Sequence, residues 1–179
     1  MLFQKGEAIN GYDRIVRVGT HNGDKQLYSR LTQHFSNMNK NRSIFRKNIG
    51  RAFLAKLNDP YIKTWEIDTT SRSNKIMYST VIDKEKEGEI ENKISNYIQA
   101  DFSFSVFEIK NISDRLNWEQ KIASTIAQSH DIPPSSVWLG NYSPKSKIRS
   151  SGLWQVNQLN GRTIDPNELE FLLKLWNNR

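Results

Sequence analysis

The chain has 179 residues, of which 36% are hydrophobic, 11% aromatic and 25% charged, with a formal net charge of +7. That length suits one domain, with or without an appendage, and the aromatic content excludes a disordered chain. There is no cysteine, which excludes disulfides and thiolate-bound zinc. No stretch reaches the roughly 18 to 20 apolar residues of a membrane span. The start, MLFQKGEAIN, lacks the apolar region of a secretory signal, so a cytoplasmic protein is expected. The positive balance points to a polyanionic partner, with nucleic acid first.

The segment LFQKGEAINGYDRIVRVGT predicts a hairpin turning at Asn10-Gly11, because Asn-Gly supplies the positive φ angles of a two-residue turn. Its first strand starts abruptly at Met1, as though cut short. From Asp24 to Phe35 the apolar residues Leu27, Leu31 and Phe35 recur at spacing four, with Tyr28 beside them, as on one helix face. After the polar loop NMNKNR, Ser43 is placed to cap a helix running to about Leu57. Ile44, Phe45, Ile49, Ala52 and Phe53 are expected to face inward there, and Lys47 and Arg51 outward, with Arg46 and Gly50 beside them. PYIKTWEID is expected to be extended, TTSRSNK a loop and IMYSTVI a strand.

Glu85 to Ala100 is helical by pattern, with the stripe Ile90, Ile94, Tyr97 and Ile98. FSFSVFEI alternates Phe102, Phe104 and Val106, as a half-buried strand does. Leu116 to Ser129 predicts another helix through Trp118, Ile122 and Ile126. The last third is rich in Ser, Pro, Gly and Trp. Ser143-Pro144 has the form of a helix start, Gly152 of its stop, and a final helix from Pro166 to Trp176 carries Leu169, Leu172 and Leu173. The order implies an α+β domain, a small antiparallel or mixed sheet flanked by helices.

Arg30 and His34 lie one helical turn apart and project from one face. A guanidinium there can grip a phosphate through two hydrogen bonds, and an imidazole can move a proton near neutral pH. His21 follows the strand-ending VGT, where side chains often meet a cleft. Glu91 sits at the edge of the Ile90/Ile94/Ile98 stripe, and its carboxylate could hold magnesium or manganese, which take few protein oxygens; Glu85, Glu87 and Glu89 compete. Two basic groups stand out: Lys40, Arg42, Arg46, Lys47 and Arg51, then Lys145, Lys147 and Arg149 beside Trp138, Tyr142 and Trp154. Cations interleaved with aromatic rings suit nucleic-acid contact. No P-loop, dinucleotide fingerprint, G-x-S-x-G or H-E-x-x-H is present, so no nucleotide cofactor is expected.

These elements together resemble the GIY-YIG nuclease superfamily. VRVGT stands where the family has its YIG strand, followed by a helix with Arg30-x-x-x-His34 and a later helix carrying Glu91. The chain is also similar to a group of bacterial GIY-YIG-like proteins sharing RVGTH, RLxxH, SIFRxxIG and WLG...SP...I..SGLW, from about Val16 to Trp154. The resemblance implies a catalytic core over 1–110 and a helical C-terminal extension over 111–179 packed on it. It implies phosphodiester hydrolysis in DNA, a magnesium or manganese ion on Glu91, Arg30 on the scissile phosphate and His34 at the attacking group.

Two positions depart from the pattern. Arg17 replaces the YIG tyrosine, and the GIY tyrosine would fall before Met1, so either the chain is truncated or the site is degenerate. His21 could take a lost tyrosine's place as proton acceptor, and Arg17 joins the residues expected to meet nucleic acid. The alternatives are a DNA-binding module of the same fold without catalysis and, third, a protein-interaction or assembly factor using the Trp-rich block; a homodimer is possible.

Overall fold

A computed structural model describes residues 1–21, 23 and 26–177, the side chains of 175–177 excepted. The expected hairpin forms from β1 (Leu2–Ile9) and β2 (Tyr12–Arg17). Asn10 and Gly11 have φ of 52° and 82°, which matches the twist of the flanking strands. The buried positions of β1 are Leu2, Gln4 and Glu7, so the alternation slips by one residue. Gly6, at φ 81°, sits at that slip and supplies the bulge. β3 (Phe102–Phe104) pairs on the other side of β1, giving an antiparallel sheet in the order β2-β1-β3.

The helices are α1 (Leu27–Phe35), α2 (Ile44–Lys56), α3 (Ile62–Trp65), α4 (Arg72–Met77), α5 (Lys84–Asp101), α6 (Ile112–Gln128), α7 (Ser146–Ser151) and α8 (Pro166–Asn177). The fold is α+β, as expected. Ser43 caps α2 by accepting the Arg46 N–H. Asp83 and Asn111 cap α5 and α6 in the same way. Gly152 stops α7 at φ 67°, the left-handed geometry that glycine tolerates best.

Several local expectations are corrected. PYIKTWEID contains α3, because Trp65 turns inward to full burial over Gly50 and its indole N–H donates to Lys47 O at 3.0 Å. IMYSTVI forms no strand: Ser71 caps α4, which takes in Ile76 and Met77 and leaves both exposed. The strand in FSFSVFEI stops at Phe104, where its ladder with β1 ends at Leu2↔Phe104, and Val106 is exposed. Ser143 does not start a helix. Its hydroxyl accepts the Lys145 N–H in a local turn, and α7 begins at Ser146. On α2, Ile44 is exposed while Arg46, Gly50 and Arg51 face inward. In α8, Leu169 and Leu173 are exposed and Leu172 packs inward. Asp24 and the side chain of Trp176 lie outside the described residues.

The main core joins both ends of the chain. Leu2, Val16, Phe45, Ile49, Ile94 and Ile98 pack with Trp138, Leu139, Ile148 and Trp154. The Trp138 and Trp154 rings meet at 5.0 Å, and both indole N–H groups donate to Gln4 Oε1 at 3.2 Å. A buried indole needs such an acceptor, and Gln4 in turn donates to Tyr97 at 2.7 Å. These two tryptophans are therefore core, neither a stacking platform for bases nor a partner surface. No helix among the described residues is long and apolar enough to cross a membrane.

Candidate active site

β2 ends at Arg17, opposite Leu2, and the chain continues through Val18-Gly19-Thr20-His21 toward α1. The C-terminal segment holds this strand end in place. Val16 O accepts the Trp154 N–H at 2.7 Å, Gln155 Oε1 accepts the Val18 N–H at 2.9 Å, and Arg17 Nη1 donates to Trp154 O at 2.9 Å. The result is a cleft of about 130 Å³, into which Arg17, His21, Arg30, His34 and Glu119 converge. Three of these, His21, Arg30 and His34, were expected in a site. Arg17 was expected only at a nucleic-acid surface, yet it stands inside the cleft wall.

Glu119 was missed from the sequence. It lies on α6 three residues before Ile122 and seven before Ile126, both buried, so it occupies the inward face of that helix. A carboxylate on an apolar stripe was the available signal. Burial pushes its carboxyl up, and Arg17 and Arg30 oppose that. Among the described residues it has no ion pair or hydrogen bond, so both oxygens are uncommitted.

His34 is buried, with Nδ1 2.7 Å from Ser43 Oγ. Burial first, then Arg17, Arg30 and Arg46, lowers its pKa to about 3, so the ring is neutral at pH 7. Burial likewise lowers Arg17 to about 10, with Arg30 adding to the shift and Glu119 opposing it; the guanidinium stays charged at neutral pH. His21 Nδ1 lies 2.6 Å from Gly23 O. A carbonyl only accepts, so Nδ1 carries the hydrogen, which leaves Nε2 as the nitrogen that can accept a proton. Arg30 donates to Gln33 Oε1 at 3.1 Å.

Glu91 is not among the residues lining the cleft. It is 3% exposed, and its oxygens accept from Lys40 N and from Arg46 Nε and Nη2, the latter two at 2.8 and 2.6 Å. Arg46 is fully buried and reaches back to His34 O at 3.2 Å. Arg51 is also internal, held by Glu66 and Asn48. Lys47 donates to Glu66 O at 2.8 Å. The burial of Arg51, with Arg46 beside it, corrects the outward face expected there, while Lys47 is half-buried. Arg42, Lys145, Lys147 and Arg149 are exposed.

No group of three or more His, Asp or Glu is placed to hold a metal among the described residues. A magnesium ion often takes one or two carboxylates and completes its shell with water and substrate phosphate. The uncommitted Glu119 oxygens, next to two guanidinium groups, fit that donor set; the Glu91 oxygens, already engaged by Arg46 and Lys40, do not. No curated protein and no solved structure matches the chain. With a family model described as GIY-YIG domain matching residues 1–179, its whole length, the chain belongs to the GIY-YIG family, a nuclease-type family.

Proposed function

We propose that the protein is a metal-dependent DNA endonuclease. The observation carrying this reading is the convergence of Arg17, Arg30, His21, His34 and Glu119 in one cleft, in a chain that matches the family throughout. Phosphodiester hydrolysis builds negative charge on the phosphate, and paired guanidinium groups stabilise it. Arg30 and Arg17 grip the scissile phosphate. His21, with its Nε2 lone pair, takes the proton of the attacking water as the new P–O bond forms. The leaving oxygen departs as the old P–O bond breaks, and it is protonated from solvent. His34 stays neutral and orients the phosphate or the water by hydrogen bonding.

Glu119, rather than Glu91, would hold magnesium or manganese, which supplies Lewis-acid stabilisation of the phosphate oxygens when bound. Exposed Arg42, Lys145, Lys147 and Arg149 carry flanking phosphates and make binding salt-dependent. The test is divalent-ion-dependent nicking of plasmid DNA. Arg30→Ala and Glu119→Gln are each expected to lower the rate at least 100-fold, the scale of losing one transition-state donor. Absence of cleavage by the wild-type protein with any divalent ion would overturn this reading.

A second reading is a DNA-binding module of the same fold without catalysis. Arg17, standing where the family has a phenol, favours it. In that case DNA binds with a steep salt dependence and Glu119→Gln leaves affinity unchanged or raised.

A further inference from the structure

Three of the buried arginines are paired with carboxylates, while Arg17 donates to the Trp154 carbonyl instead. Arg14 and Arg46 each present the Nε/Nη2 edge to a single carboxylate oxygen, of Glu7 and Glu91, and Arg51 presents the same edge to both oxygens of Glu66. Arg115, half-buried on α6, has no such carboxylate among the described residues. Its Nε and Nη2 are both out of solvent, and among the described residues neither has a hydrogen-bond partner. An arginine cannot shed its proton, and a buried donor without an acceptor is costly, so this edge calls for an explanation.

Arg115 lines a hollow of about 110 Å³ that shares Gly19, Thr20, His21 and Glu119 with the cleft. The rest of its wall is largely apolar, including Val18, Trp118 and Ile122. Arg115 precedes Glu119 by one helical turn on α6, about 6 Å along the axis. That offset separates an anion on Arg115 from one held by Arg30 and Arg17. A cationic fork beside an apolar wall matches a nucleotide: the fork takes a phosphate through two parallel hydrogen bonds, and the wall takes the sugar and base. We propose that this hollow is a subsite for the nucleotide next to the scissile phosphate, with the Arg115 guanidinium turning out of its closed, unpartnered setting onto that phosphate. The proposal rests on the nuclease reading and adds to it where the strand runs.

The test compares wild type, Arg115→Met and Arg115→Lys for binding of a short DNA duplex across a salt series without divalent metal, together with melting temperatures. Arg115→Met is expected to weaken binding about 10-fold and to reduce the slope of log K against log salt by about one, the signature of one lost phosphate contact. Its melting temperature stays level or rises, because an unpartnered buried donor has been removed. Arg115→Lys keeps the slope but not the full affinity, since the fork is lost and the charge is not.

Unchanged affinity and slope in Arg115→Met overturns the subsite, as does a lowered melting temperature with an unchanged slope, which makes Arg115 structural. Inorganic phosphate is the second probe. If it raises the wild-type melting temperature through Arg115 while the DNA slope is unaffected, the group binds free anions and the strand subsite is overturned. A wild-type protein that binds no DNA at low salt removes the nuclease reading and the subsite together. A wild type that binds, with Arg115→Met indistinguishable from it, removes the subsite alone.

Discussion

Replacing Glu91 with alanine separates a structural carboxylate from a chemical one. The Glu91 carboxylate accepts two hydrogen bonds from Arg46, which is 0% exposed, and one from the Lys40 backbone N–H. Arg46 keeps Glu91 O, Ser95 Oγ and His34 O as neutral acceptors, but it loses its counter-charge. Removing one partner of a buried pair costs about 3 to 5 kcal/mol, and the orphaned Lys40 N–H puts this case in the upper part of that range. Against a total stability of about 5 to 15 kcal/mol the loss is severe. With an m-value of about 2 kcal/mol/M, the urea midpoint falls by about 2 M. Arg46→Met combined with Glu91→Leu leaves no unpaired charge and regains much of that loss. Urea unfolding followed by circular dichroism reads both variants. If Glu91→Ala keeps the wild-type midpoint and yet loses all DNA cleavage, the pairing argument fails and Glu91 acts on metal or substrate.

His34 makes stability depend on pH. Its folded pKa of about 3 lies below the usual 6.5, so between these values the unfolded chain binds a proton that the folded one does not, and stability falls as pH drops through that window. The full effect is roughly 4 to 5 kcal/mol at 1.36 kcal/mol per pH unit. His34→Gln lacks this term, so its stability deficit relative to wild type shrinks between pH 6.5 and 4.5; a constant deficit across that range refutes the assignment. Two glycine-to-alanine changes in helix interiors should have opposite signs. A Cβ on Gly50 would stand 2.5 Å from the Trp65 ring, and one on Gly88 meets nothing within 4 Å. Gly88→Ala therefore gains up to about 1 kcal/mol of helix propensity, while Gly50→Ala loses about 1 to 2 kcal/mol net, because overpacking outweighs the same gain. Thermal unfolding of the two variants checks the pair.

The legible parts of the fold were those fixed by local chemistry. Asn10-Gly11 dictates its turn, Ser43 its cap and Gly152 its stop, each through backbone geometry that needs no knowledge of distant residues. The corrected parts depend on what lies across the core. PYIKTWEID carries enough aromatic and β-branched residues to be extended, but Gly50 offers Trp65 a bare backbone to pack on, and that contact draws Ile62–Trp65 into α3. IMYSTVI has strand composition and no strand to pair with, so the Ser71 cap decides it.

The site divides along the same line. Arg30 and His34 share a face by helical spacing alone, and the cleft forms over that face. Choosing between Glu91 and Glu119 required the partners: both sit on buried stripes, and only the position of Arg46 makes the first a structural anion and leaves the second uncommitted. The charge balance shows why the basic groups misled in detail but not in sum. The pairs Arg14–Glu7, Lys40–Glu87, Arg46–Glu91 and Arg51–Glu66 are drawn inside or against the core, and each removes one cation and one anion. The excess of +7 is therefore untouched by them and rests on the other groups, among them the cleft arginines Arg17, Arg30 and Arg115 and the exposed Arg42, Lys145, Lys147 and Arg149. A polyanion meeting this protein is attracted by the residues that are left after internal pairing, and three of those line the cleft and the hollow beside it.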